Sequence, residues 1–299
     1  MNSVTEDTPV TPRPPAVKIN TIGFADVRAA LARGWRDFLK APLIGLFFGG
    51  IYAAGGIAIF LLLKVYHEPW WIIPIAVGFP LIGPFVAVGL YETSRRIEAG
   101  QPLKFGEILT VIFAQRKRQV AWMAFVVLFI FWMWLYEVRM LLAVFLGFKS
   151  FSSMEAFVNV VTTTPEGIGF LAVGTGVGAF ISFVLFCTTV VGIPLLLDRE
   201  IDLITASIYS FKAVLQNPVP MIGFGILVVA LTFAALVPMF LGLLVVLPVL
   251  GHATWHLYKA VVALTFAALV PMFLGLLVVL PVLGHATWHL YKAVVAPEG

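Results

Sequence analysis

Apolar residues gather along this chain in long blocks, and short polar or basic stretches separate them. The blocks cover about residues 42–63, 71–90, 119–136, 168–197, 219–237 and 238–258. Each is close to or above the roughly 20 residues that carry an α-helix across the hydrocarbon of a bilayer. The pattern predicts six transmembrane helices. A second pattern recurs between them. In residues 24–40, Phe24, Val27, Leu31, Trp35 and Phe38 recur at helical spacing with arginines between them, which predicts an amphipathic helix on the membrane surface. Residues 198–217 repeat this pattern, with Asp202 aligned on Asp26, Phe211 on Trp35, Lys212 on Arg36 and Pro218 on Pro42. A fainter version follows Phe105, where Phe105, Glu107 and Ile108 echo Phe24, Asp26 and Val27. The expectation is a threefold plan in which an amphipathic helix precedes each transmembrane hairpin.

Residues 1–20 are polar and proline-rich and read as a disordered tail; residues 21–41 hold the interfacial helix and residues 42–260 the membrane domain. Gly45, Gly49 and Ala53 form a small-residue stripe on the first span, and Gly174 and Gly178 form another on the fourth. Such stripes let a second helix approach closely in lipid, so they mark contacts with a membrane-protein partner or a second copy of the chain. Pro74, Pro80 and Pro84 predict a kinked or broken second span. Thr163 and Glu166 have capping-box spacing before the fourth span, and Glu137 and Arg139 close the third. The loop after the second span is the most basic, ending in Arg116, Lys117 and Arg118. Next to an apolar span, such a cluster holds lipid headgroups and sets topology; it is not read as a nucleic-acid contact.

Composition agrees with the pattern. Hydrophobic residues make up 61% of the 299 and charged residues 11%, against about 25% charged in a soluble domain. Lys and Arg number six in the N-terminal segment, six after the second span and two after the fourth, against three (Lys64, Arg139, Lys149) on the opposite loops. That asymmetry places the N-terminus in the cytoplasm. The single cysteine, Cys187, lies in an apolar run and excludes an intramolecular disulfide.

Residues 228–260 recur without change as residues 261–293. Structural repeats normally diverge while keeping their pattern, so perfect identity points to a recent tandem duplication or to an error in cloning or assembly. Residues 261–299 then read as an added copy with a short tail. The 32 residues between Lys259 and Lys292 fall short of two spans, which predicts about seven crossings for the chain as it stands.

Candidate chemistry is confined to that repeated unit. His252 and His256, with their copies His285 and His289, stand four residues apart and so share a helix face. This makes His252 and His256 the candidate metal pair. The leading reading places them with Trp255 and Tyr258 in an interfacial belt of amphipathic side chains, and a third gives them a pH-sensitive hydrogen-bond role. No phosphate loop, Ser/His/acid set or ionisable residue within a span accompanies them. No catalytic residue and no cofactor is assigned, and the protein is not read as an enzyme.

The stretches RAALARGWRDFLKAPLIGLFFGGIY, IGPFVAVGLYETSRR, TTPEGIGFLAVGTGVG, PLLLDREID and LPVLGHATWHLY resemble a bacterial family of integral membrane proteins of unknown function, over about residues 16–262. The resemblance implies a six-span layout. Members are sometimes labelled cytochrome c oxidases, but no established activity comes with the resemblance. A metal- or haem-associated, oxidase-related protein using the His252 and His256 pair is one alternative. A small-solute transporter built on the proline-rich second span is the other alternative. The leading expectation is an all-α polytopic transmembrane helix bundle with a structural or interaction role, whose environment is the lipid bilayer.

Overall fold

Proline at the first position of a helix fixes φ where the missing N–H has no intrahelical partner, and this chain turns two corners on that device. The computed structural model describes residues 17–64, 72–115, 118–147 and 154–263. Helix α1 (Phe24–Lys40) ends at Ala41 with φ −132° and ψ 52°, and α2 (Pro42–Lys64) starts on the proline. Later, α9 (Leu203–Gln216) ends at Asn217 with φ −129° and ψ 53°, and α10 (Pro218–Leu236) starts on Pro218. The aligned stretches therefore build the same corner. Between them lie α3 (Ile72–Glu98), α4 (Phe105–Gln115), α5 (Gln119–Leu146), α6 (Met154–Thr163), α7 (Pro165–Thr189) and α8 (Gly192–Asp198), and α11 (Leu243–Val261) follows α10. Phe24 and Phe105 open α1 and α4, so all three amphipathic stretches are helices that precede long apolar ones.

The chain divides into two units, residues 19–261 and residues 1–18 with 262–299. In the second unit the described residues are 17, 18, 262 and 263; the short strand β1 (Lys18–Ile19) runs across the boundary, and β2 (Val262–Ala263) lies in the second unit. The rest of the duplicated segment, with His285 and His289, lies outside the described residues, as do residues 1–16, the link at 65–71, and Arg116 and Lys117. The helical unit is all-α. Four of its stretches, Pro42–Leu62, Gln119–Leu146, Pro165–Asp198 and Pro218–Leu236, are long and apolar enough to cross a membrane. The second and sixth expected spans fall on α3, whose last turn carries Arg95, Arg96 and Glu98, and on α11, which carries His252, His256 and Lys259.

Exposed apolar stripes mark the outward faces. On α5, Trp122, Phe125, Phe129, Met133, Tyr136, Met140 and Val144 are exposed at helical spacing. On α10, Val219, Ile222, Ile226, Val229 and Phe233 do the same. Contiguous apolar stripes of this extent are stable against lipid and would be costly in water.

Several boundaries differ from the sequence reading. Helix α3 stays helical through Pro74, Pro80 and Pro84 and continues to Glu98, so Glu92–Arg96 lie on a helix and not in a loop. Helix α5 continues past Tyr136 and carries Glu137 and Arg139 within it. The fourth span is interrupted by a turn at Val190–Val191. Its N-cap is Thr164, whose hydroxyl accepts from the Gly167 N–H at 3.0 Å, and not Thr163. The face that α1 buries is also rotated from the expected one. Val27, Ala30, Gly34, Asp37 and Phe38 are buried, whereas Phe24 and Trp35 are exposed.

Close helix crossings explain the rotation. A Cβ on Gly34 would fall 2.6 Å from the Ala253 nitrogen and 2.7 Å from the Val249 oxygen of α11. Only glycine permits that approach. The small residues of α2 face the same helix: Gly49 lies against Leu243 and Leu244, Gly45 against Phe38 and Pro248, and Ala53 packs with Leu243 and Ala235. Gly174 and Gly178 face Leu141 and Trp134 of α5. The first stripe, expected to receive a partner, is thus occupied from within the chain, and the second meets single side chains of α5. Helix α11 is the hub, packing against α1, α2, α3, α8 and α10.

Candidate functional site

The ends of α1, α3, α8 and α11 meet, and there the chain buries polar side chains together. A buried polar group without a partner costs about 1–3 kcal/mol, more if charged, so such a set must be mutually satisfied. The spacing of four that puts His252 and His256 on one face of α11 turns that face toward α1 and α3. His256 is 3% exposed and donates from Nε2 to Asp37 Oδ2 of α1 at 2.7 Å. Its Nδ1 lies 3.1 Å from Glu98 Oε1 of α3, at ion-pair distance but outside hydrogen-bonding geometry. His252 is fully buried, and its Nδ1 is hydrogen bonded to Ser94 Oγ of α3 at 2.8 Å, while Nε2 has no hydrogen-bond partner among the described residues.

The neighbouring aromatics extend the set. Trp255 donates from Nε1 to Glu98 Oε2 at 3.1 Å and stacks on Tyr91. Tyr258 donates to Asp198 Oδ2, at the end of α8, at 2.7 Å, and Lys259 stands 3.9 Å from the same oxygen and over the Trp255 ring. These four residues of the GHATWHLY stretch are buried, so the expected interfacial belt is replaced by an internal junction.

Two further clamps close this end. Buried Glu92 holds Arg95 and Arg96, and Arg96 reaches across to Glu107 of α4 at 2.5 Å. Asn217, 2% exposed at the second proline corner, accepts from the Ile22 N–H at 2.8 Å and donates to the Asn20 and Ala213 carbonyls. Asn20 in turn donates to the Ala260 carbonyl.

The carboxylates take their electrostatics from these contacts. For Asp37, burial works to raise the pKa, but the hydrogen bond from His256, the nearby Ser94 hydroxyl and the imidazole charge outweigh it and hold the group below the usual aspartate range. Glu98 follows the same logic: burial raises it, and its contacts with His256 and Trp255 bring it below the ordinary glutamate value.

Ser, His and acid side chains do come together here, which the sequence did not suggest. They do not form a nucleophilic triad, because a triad needs one imidazole between hydroxyl and carboxylate. Here Ser94 sits on His252 and Asp37 on His256, and Ser94 is fully buried. His252 and His256 do share a face, yet among the described residues no three His, Cys, Asp or Glu side chains are grouped to hold a metal ion. Cys187 is fully buried away from this junction.

A family model described as "Predicted integral membrane protein (DUF2189)" matches residues 72–198, from the start of α3 to the end of α8. The GHATWHLY stretch, one of those that carry the resemblance over residues 16–262, lies outside the matched residues. No curated protein and no solved structure matches the chain. The family likeness over residues 72–198 and the long apolar helices agree on an integral membrane protein of the all-α class, similar to a family without an established activity.

Proposed function

We propose that this is a structural, non-catalytic protein of a bacterial inner membrane, crossing it six times by residue 260 with its N-terminus in the cytoplasm. In this reading α1, α4 and α9 form a cytoplasmic layer on the membrane surface, and the junction of α1, α3 and α11 fixes the first of them to the bundle. The lysine and arginine asymmetry supports the orientation. The observation that carries the reading is that His252 and His256, the residues best suited to chemistry, are buried and engaged with Ser94 and Asp37. Hydrogen bonds of this kind, buried away from water, tie α1 and α3 to α11.

The test is metal analysis and a visible absorption spectrum of the detergent-purified chain, beside a His252→Ala/His256→Ala variant. The structural reading expects no stoichiometric metal and no visible band in either. A metal or chromophore present in the wild type and lost in the variant would overturn it in favour of a redox or metal-handling protein.

A further inference from the structure

We propose that the pocket lined by Arg33, Arg36, Asp37 and Lys40 of α1, Ile97 and Glu98 of α3 and His256 of α11 receives the headgroup of an anionic phospholipid. The three cations stand at i, i+3 and i+7, so one face of α1 presents them together. All three are exposed, and among the described residues none is in an ion pair; Arg36 Nε donates to the Ala32 carbonyl at 3.3 Å. The acids beside them are already engaged, Asp37 with His256 and Glu98 with Trp255 and His256. The rim is left with an excess of positive charge over a polar floor.

Size and surroundings select the ligand. The pocket measures about 190 Å³, space for roughly six waters at about 30 Å³ each, which suits a phosphodiester with a small polar substituent. Lys40 also lines a second, mainly apolar groove of about 440 Å³ with Pro42, Leu43, Ile44, Leu103 and Phe105. That groove lies where α2, a candidate membrane span, begins at Pro42. A cationic pocket joined through one lysine to an apolar groove at a span's entrance matches a lipid, with phosphate on the arginines and an acyl chain along Leu43 and Phe105. Free phosphate would use only the first half.

The inference rests on the surface position of α1 proposed above, and cysteine labelling of α1 tests that position separately. The experiment is native mass spectrometry of the full chain released from micelles containing phosphatidylglycerol or phosphatidylcholine. Wild type retains phosphatidylglycerol in preference. Arg33→Gln and Lys40→Gln each lower that retention roughly fivefold, the effect of one cation near an anionic surface. Arg28→Gln, on α1 but outside the pocket, removes the same charge and leaves retention unchanged. Added inorganic phosphate does not displace the lipid. Equal retention of both lipids, losses as large in Arg28→Gln as in Arg33→Gln, or displacement by phosphate would each overturn the proposal. These single changes are at exposed positions, so thermal unfolding should match the wild type. If α1 labels as a surface helix and the lipids are retained equally, the site fails while the architecture stands.

Discussion

Breaking the Asp37–His256 contact from each side should give unequal costs that do not add. The contact is 2.7 Å long, and the two side chains are 6% and 3% exposed. A hydrogen bond to a charged group contributes about 1.5–3 kcal/mol. Removing one partner of a buried pair costs about 3–5 kcal/mol, because a charge is left uncompensated. Asp37→Ala leaves His256 with Glu98 Oε1 still 3.1 Å from Nδ1, so its cost should be near that of the lost hydrogen bond alone, about 2 kcal/mol. His256→Ala leaves both Asp37 and Glu98 without the group between them and should cost about 3–5 kcal/mol. The double variant retains Glu98 with Trp255 and should be less destabilised than the two single costs together by about 1.5–3 kcal/mol. The assay is a double-mutant cycle on SDS-titrated unfolding in mixed micelles. Additivity within about 0.5 kcal/mol, the behaviour of sites that do not interact, would refute the reasoning.

Other predictions follow from the same contacts. Asp37 has a depressed folded-state pKa, so its contribution is present above the unfolded value, about 3.9, and is lost as pH falls through the lower folded value. Acid titration of stability should therefore show a loss below about pH 4 that is smaller in Asp37→Asn. Gly34→Ala pushes a methyl into the α11 backbone at Ala253 and should cost about 1–3 kcal/mol; Gly176→Ala, with open space around it, should be neutral or stabilising by up to about 1 kcal/mol, both read by the same unfolding assay. Cys187 is fully buried, so a maleimide should modify it only after unfolding. With that background silent, single cysteines at Arg28, Lys104 and Lys212 should react from the cytoplasmic side alone, and labelling from the outer side would contradict the proposed orientation.

Local features were legible in the sequence, and long-range ones were not. Helical spacing and the prolines at 42 and 218 foretold α1, α9 and the two matching corners, because caps and periodicity are encoded within a few residues. His252 and His256 were singled out, but their partners Ser94 and Asp37 lie 158 and 219 residues away. A signal for Asp37 did exist. It occupies the stripe Val27, Ala30, Gly34, Asp37, in which an acid interrupts otherwise small or apolar positions. The largest apolar residues, Phe24 and Trp35, drew the expected face elsewhere. In water large side chains mark the buried face, whereas a close crossing in a membrane protein is marked by small ones. The same inversion explains why the stripe at Gly45, Gly49 and Ala53 pointed to a partner, when α11 fills it. Asn217 carried no pattern, because its role as a clamp depends on residues 20–22 returning to the second corner.

Amide hydrogen exchange of the wild type and His256→Ala, followed by mass spectrometry on α1, α5 and α7, tests most directly whether the junction holds α1 to the bundle. The account predicts strong protection of residues 27–38 in the wild type, and its selective loss in the variant while α5 and α7 stay protected. Rapid exchange of α1 in the wild type, or unchanged protection in His256→Ala, would contradict it.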